Sequence, residues 1–252
     1  MPPAETLPEW LRPARAGLVA YARLLAGDGV ERGLIGPREV PRLWERHLLN
    51  CAVVADPAAG LVPPSAAVVD VGSGAGLPGL VWALVRPDLR VELVEPLLRR
   101  ATFLEEAVAA LDVATSHGPD PRFADRVRVS RARAEELAGG PGATVVTARA
   151  VAPLDRLAAW TLPLARPGGV LLALKGASAG QELEAAAATL RAGGVTTLDV
   201  VRCGDGVVDP PTTVVRAVLG ARGWSPPAGR SRRGGRSGGT PRNRPGASRT
   251  TP

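Results

Sequence analysis

Lysine is almost missing from this chain of 252 residues: Lys175 stands alone among 31 basic side chains. Cysteine and histidine are as scarce, with two of each. Cys51 and Cys203 lie far apart, in no CxxC or Cys/His ligand spacing. That excludes a disulfide framework and leaves no set of residues for a structural zinc site, so both are expected to be ordinary buried residues and no metal is expected. No apolar stretch is long and clean enough of charge, Gly and Pro to span a bilayer. The opening MPPAETLPEW carries acids and prolines where a signal peptide needs a basic end and an apolar core. A soluble, cytoplasmic protein without membrane contact is the expectation. The formal charge of +7 looks like a nucleic-acid signal, but eight arginines and no acid follow Ala221. The 23 basic and 24 acidic groups before them nearly cancel. The charge belongs to the tail.

What is there is a change of pattern near residue 65. Before it, Leu7, Leu11, Ala14, Leu18, Tyr21 and Leu25 recur three or four apart, predicting an amphipathic helix over 5–26. A second helical stretch, PRLWERHLLNCAVV, opens near Pro41, a residue suited to a first turn. After it, short β-branched runs alternate with helical segments. Strands are predicted at 66–72, 90–96, 126–132, 143–150 and 168–176, and helices from Pro78 to Val85, over 98–111, from Pro153 to Ala165 and over 181–193. Two last strands, 195–203 and 212–220, leave no room for a helix between them and read as a hairpin turning at Asp209-Pro210-Pro211. Such alternation predicts an α/β fold with a mostly parallel seven-stranded sheet covered on both faces. The expected organisation is a helical extension over 1–64, an α/β domain over 65–220, and a disordered Arg/Gly/Pro/Ser-rich tail over 221–252.

The first strand leaves through DVGSGAGLPG, Asp70 to Gly79. Ligands of open α/β sheets sit at the carboxyl ends of the strands, where the strand order reverses. A P-loop would need Gly-Lys-Ser/Thr, and this turn has no lysine. The dinucleotide fingerprint would place glycine at position 77, where Leu77 stands. The remaining D-x-G-x-G-x-G pattern lets backbone approach a ligand at Gly72 and Gly74. Asp70 is expected to bring a carboxylate beside the pocket, which repels a pyrophosphate and attracts an amino group or sulfonium. On charge, S-adenosylmethionine fits better than NAD. Glu95 closes the second strand, where such sheets place an acid on the ribose hydroxyls. After the third strand, Ala134 and Glu135 are placed to frame an adenine ring, although acids there also suit a helix start.

VVDVGSGAGLPGLVWALVRPD resembles the cofactor motif of the glucose-inhibited division protein B family, methyltransferases of small-subunit ribosomal RNA. LWERHLLNCAVV upstream, TARA at 147–150 and ALKG at 173–176 are similar to further motifs of that family, in the same order. The matches cover roughly residues 32–176. The resemblance implies a class I, Rossmann-like S-adenosylmethionine-dependent fold. It also implies methyl transfer to N7 of one guanosine in 16S ribosomal RNA. Naked RNA and the 30S subunit both stay open as the form of the substrate, and a monomer is expected. Carried over, Gly72, Gly74, Leu77, Glu95, Ala134, Glu135 and Arg149 bind the cofactor, with Asp70 expected beside them on charge. Arg149 also positions the reactants, and Arg46, His47 and Lys175 contact RNA. The chain departs from the family at EPLLRR, where Arg99 and Arg100 replace a mixed Lys-Arg pair, and at Thr147, where serine is usual.

N7 of guanine carries an in-plane lone pair that is unprotonated at neutral pH. No general base is expected, only alignment. Asp209-Pro210-Pro211 lacks the aromatic and the position of an amine-methylating loop, and neither cysteine falls where a pyrimidine-attacking nucleophile belongs. Competing readings are a small-molecule or protein methyltransferase on the same fold, an NAD-dependent oxidoreductase, and a non-catalytic RNA-binding protein.

Overall fold

The computed structural model describes residues 7–116, 121–149 and 152–226. Seven strands form one sheet: β1 (Ala67–Val71), β2 (Arg90–Val94), β3 (Val127–Ser130), β4 (Ala143–Arg149), β5 (Ala165–Lys175), β6 (Val195–Cys203) and β7 (Thr212–Leu219), in the order β3-β2-β1-β4-β5-β7-β6. The first five pair in parallel, and β7 runs antiparallel to both β5 and β6. This is the expected sheet with its one reversed strand. Its order reverses between β1 and β4, which pair at Asp70 and Thr147. The exit of β1, which carries the glycine turn, therefore lies beside the exit of β4, which carries Arg149.

Helices α1 (Arg15–Leu24), α2 (Asn50–Ala52), α3 (Gly79–Val85), α4 (Leu98–Thr115), α5 (Phe123–Arg126), α6 (Leu154–Thr161) and α7 (Ala179–Ala192) complete the described fold. The predicted helix over 5–26 is shorter than its apolar spacing suggests. Residues Glu9–Leu11 form a 3-10 turn and α1 begins only after Pro13, because proline restricts the residue before it and lacks an amide hydrogen. The second predicted helix winds as a 3-10 segment, Pro37–Arg42, then as a π-helix, Leu43–Leu49, before α2. π-helical turns gather at functional sites, and this one carries Arg46 and His47.

One face of the sheet and the helices before it share a single core, from Leu7 through Tyr21, Leu48, Trp82 and Phe103 to Val214. Trp82 is fully buried and its indole N–H donates to the Cys51 carbonyl at 2.9 Å, joining α3 to the preceding helices. Arg86, just after α3, donates to the carbonyls of Ala55 (3.3 Å) and Val62 (3.2 Å) and pairs with Asp88 at 2.7 Å. That arrangement pins the linker into β1, and the Arg86 guanidinium holds the Asp88 carboxyl down at about 2. The opposite face packs a second core around α6 and α7.

The fold runs past the predicted start of the tail. Trp224 packs against the second core, and the Ser225 amide donates to the Gly193 carbonyl at 2.9 Å. Residues 221–226 are thus part of the folded unit, an aromatic anchor that Gly/Ser/Arg composition hid. The rest of the expected disordered tail lies outside the described residues. Among the described residues, no helix is long and apolar enough to cross a membrane.

Candidate active site

A cavity of about 720 Å³ opens at the carboxyl edge of the sheet, under the turn between β1 and α3. Its wall includes Gly72, Gly74, Leu77, Glu95, Ala134, Glu135 and Arg149, residues from four different segments of the chain. Gly72, Gly74 and Gly76 have φ of 69°, 59° and 96°, the left-handed region that glycine enters without a Cβ clash. At Gly76 a Cβ would fall 2.4 Å from a Leu80 methyl.

The expected role of Asp70 is corrected by its position. It is fully buried and does not line the cavity. Its Oδ2 accepts the Gly79 amide at 3.0 Å, and its backbone carbonyl accepts the Ser73 hydroxyl at 2.8 Å. Its other carboxylate oxygen has no partner within the protein. Burial raises its pKa to about 7, opposed by the Gly79 amide. Asp70 shapes the turn from beneath instead of offering a charge to a ligand. A Cβ at Gly79 would fall 2.4 Å from Leu93 and 2.7 Å from Asp70 Oδ2. Gly79→Ala is therefore expected to cost about 1–3 kcal/mol through overpacking. Urea unfolding should show a lower midpoint with an unchanged slope.

Glu95 is 2 % exposed. Its Oε2 accepts the Gly74 amide and its Oε1 the Leu97 amide, both at 3.0 Å. The acid at the end of β2 thus clamps the glycine turn of β1. Each carboxylate oxygen keeps a second lone pair for a hydroxyl in the cavity. Ala134 is buried in the wall, while Glu135 is exposed at the rim.

Arg149 reaches across the mouth from the end of β4. It meets His47 Nδ1 at 3.1 Å, donates to the Arg46 carbonyl at 2.9 Å, and lies 3.7 Å from Cys51 Sγ. Since Arg149 can only donate, His47 Nδ1 must accept, which puts the imidazole proton on Nε2, 3.1 Å from Glu39 Oε2. Burial and the Arg149 charge lower the His47 pKa, against the pull of Glu39. Burial holds the Cys51 thiol at about 11, so it is no nucleophile.

Of the three residues expected to touch RNA, Arg46 alone presents an exposed side chain. His47 is tied between Glu39 and Arg149. The Lys175 side chain is 7 % exposed, with Nζ on Glu182 at 2.8 Å and on the Ala152 carbonyl. Each of these two groups is thus held by an acid of the chain itself. A second cavity, of about 500 Å³, contains Lys175, Glu182 and Asn50 and shares Arg149 with the first.

Sequence reasoning missed Tyr21. This fully buried side chain of α1 donates its hydroxyl to the Ala75 carbonyl at 2.6 Å, so the leading helix braces the glycine turn directly. The signal was the chain's single tyrosine on an apolar helix face, where a buried hydroxyl needs a partner. Tyr21→Phe leaves that carbonyl without its donor and is expected to cost about 1–2 kcal/mol. Isothermal titration should find weaker S-adenosylmethionine binding along with a lower melting temperature.

A seven-stranded sheet of this order, with a glycine turn after β1 and an acid closing β2, defines a class I S-adenosylmethionine-dependent methyltransferase. Two solved structures share the fold. The S-adenosylmethionine-dependent methyltransferase SibL has a TM-score of 0.53 and 19 % identity, over 82 % of this chain and 70 % of that one. An O-methyltransferase from Thermotoga maritima has a TM-score of 0.50 and 13 % identity, over 72 % and 70 %. Residues 15–209 match the family model GidB, rRNA small subunit methyltransferase G, and the chain belongs to that family. The protein named ribosomal RNA small subunit methyltransferase G from Salinispora tropica is 58 % identical, over 86 % of this chain and 88 % of that one. The protein of the same name from Streptomyces avermitilis is 56 % identical, over 81 % and 80 %.

Proposed function

We propose that this protein transfers a methyl group from S-adenosylmethionine to N7 of one guanosine in 16S ribosomal RNA. The observation that carries the proposal is the shared wall: Arg149 borders both the glycine-turn cavity and a second polar cavity beside it. The first cavity fits the cofactor, because its glycines lack side chains where a ligand must approach and Glu95 keeps acceptors free. When bound, S-adenosylmethionine supplies an electrophilic methyl carbon. The backbone at Gly72 and Gly74 takes the methionine end, beside Leu77. Glu95 accepts the ribose hydroxyls, and Ala134 with Glu135 borders the adenine.

Arg149 holds the boundary between that cavity and the one that admits the base. Its guanidinium is fixed by His47 and by the Arg46 carbonyl, so it orients the reactants and transfers no proton. N7 needs none removed. Arg46 contacts the RNA backbone at the rim, with His47 behind it as the support of Arg149. The helical segments before β1 act as an extension of the α/β domain, and the protein works as a monomer in the cytoplasm.

The test is incubation with tritiated S-adenosylmethionine and 30S subunits lacking the modification, alongside naked 16S RNA. Label should enter 16S RNA at N7 of a single guanosine. Label on protein, on adenine or on many guanosines would overturn the proposal.

A further inference from the structure

Lys175 and Glu182 form a charge pair in the second cavity that the reading above leaves without a chemical task. The lysine comes from the end of β5 and the acid from the first turn of α7. Of the three Lys175 N–H groups, one goes to Glu182 Oε2 and one to the Ala152 carbonyl. Glu182 Oε2 also accepts the Leu154 amide at 3.0 Å, while Oε1 accepts the Ser178 hydroxyl at 2.8 Å. One donor on Lys175 and one acceptor position on Glu182 Oε1 are therefore left, on two residues that touch and line the same cavity.

We propose that Lys175 and Glu182 read the Watson–Crick edge of the target base and make the site specific for guanine. The inference rests on the proposed methyl transfer to guanine N7. Enzymes acting on a base take it out of the stack into a pocket and recognise that edge. Guanine presents the O6 acceptor beside the N1–H donor, whereas adenine presents an N6 amino donor beside the N1 acceptor. A fixed donor next to a fixed acceptor matches the first order and opposes the second. O6 lies between N7 and N1 on the purine, so a base whose N7 faces Arg149 and the cofactor cavity turns O6 and N1–H toward the charge pair. Lys175 donates to O6, and Glu182 accepts from N1–H.

A site built on hydrogen bonds to a substrate rejects the analogue lacking them by roughly 10⁴-fold, because its buried polar groups stay unpaired. The experiment uses 30S particles assembled with 16S RNA carrying guanine, adenine or hypoxanthine at the methylated position. Hypoxanthine keeps O6 and N1–H and loses only the 2-amino group. The wild-type protein should accept it within about tenfold of guanine and reject adenine by on the order of 10³-fold or more in kcat/KM. In Glu182→Gln the amide donates to adenine N1 as readily as it accepts guanine N1–H. The adenine-to-guanine ratio should rise at least about tenfold. Lys175→Gln should raise the same ratio and serves where Glu182→Gln does not fold.

A purely architectural pair, or a lysine on phosphate, would lower kcat/KM equally for every base and leave the ratio unchanged. That result, or rejection of hypoxanthine as strong as that of adenine, overturns the inference. Failure of the wild-type protein to label guanosine N7 at all instead overturns the proposed function.

Discussion

Arg149→Ala should lose activity on the order of 10²- to 10³-fold in kcat, with cofactor affinity changed much less. The guanidinium is fixed at both ends, by His47 and by the Arg46 carbonyl, and it forms the wall between the two cavities. In-line attack requires the base nitrogen, methyl carbon and sulfur to be collinear. A misplacement of about 1 Å costs roughly 10²-fold when catalysis depends on orientation. The fold should survive, because the side chain is half-buried at a cavity mouth and the core on either side of β4 is apolar. Circular dichroism and single-turnover methyl transfer measured together check the outcome. A variant that folds and retains full activity would remove Arg149 from the mechanism.

Glu95→Ala should act on the other half of the site, with cofactor binding weakened on the order of 10²- to 10³-fold. Two effects add. The ribose loses a charged acceptor, and hydrogen bonds to charged groups contribute about 1.5–3 kcal/mol each. The Gly74 and Leu97 amides also lose the carboxylate that joins the turns after β1 and β2. Glu95→Gln keeps one acceptor oxygen and the side-chain shape, so it should fall between the two. Titration calorimetry with S-adenosylmethionine would order the three proteins. Equal affinity in all of them would show that the ribose is held elsewhere.

The sheet was readable because short apolar runs of seven to nine residues alternate with helical spacing. The reversed strand followed from the short gap between β6 and β7. Helix geometry was less readable. Apolar spacing of three and four cannot separate an α-helix from the π-helical run Leu43–Leu49, since both bury a similar stripe. The end of the fold was misjudged because one aromatic, Trp224, outweighs the polar residues around it.

Within the site, Gly72, Gly74, Leu77, Glu95 and Ala134 were legible as backbone and strand-end positions in a known topology. Asp70 was expected beside the pocket, yet it lies buried beneath the turn. Side chains alternate along a strand, so Asp70 shares a face with buried Val68, and that period of two was the available signal. Glu182 drew no reading of its own within the predicted helix over 181–193. Its partner Lys175 is seven residues away, and only the packing of α7 against the end of β5 brings them together.

The contact between Tyr21 and the Ala75 carbonyl has a consequence for biosynthesis. The core behind it includes Val214 of β7, and the Thr212 hydroxyl reaches back to the Asn50 carbonyl at 2.9 Å. Contacts of such long sequence separation form late, because chain closure must be paid in entropy before packing rewards it. Binding competence is therefore a property of the nearly finished polypeptide. A nascent fragment ending before β7 holds Tyr21 and the whole glycine turn, but lacks Val214 and the Thr212 contact to Asn50 that complete the core behind them.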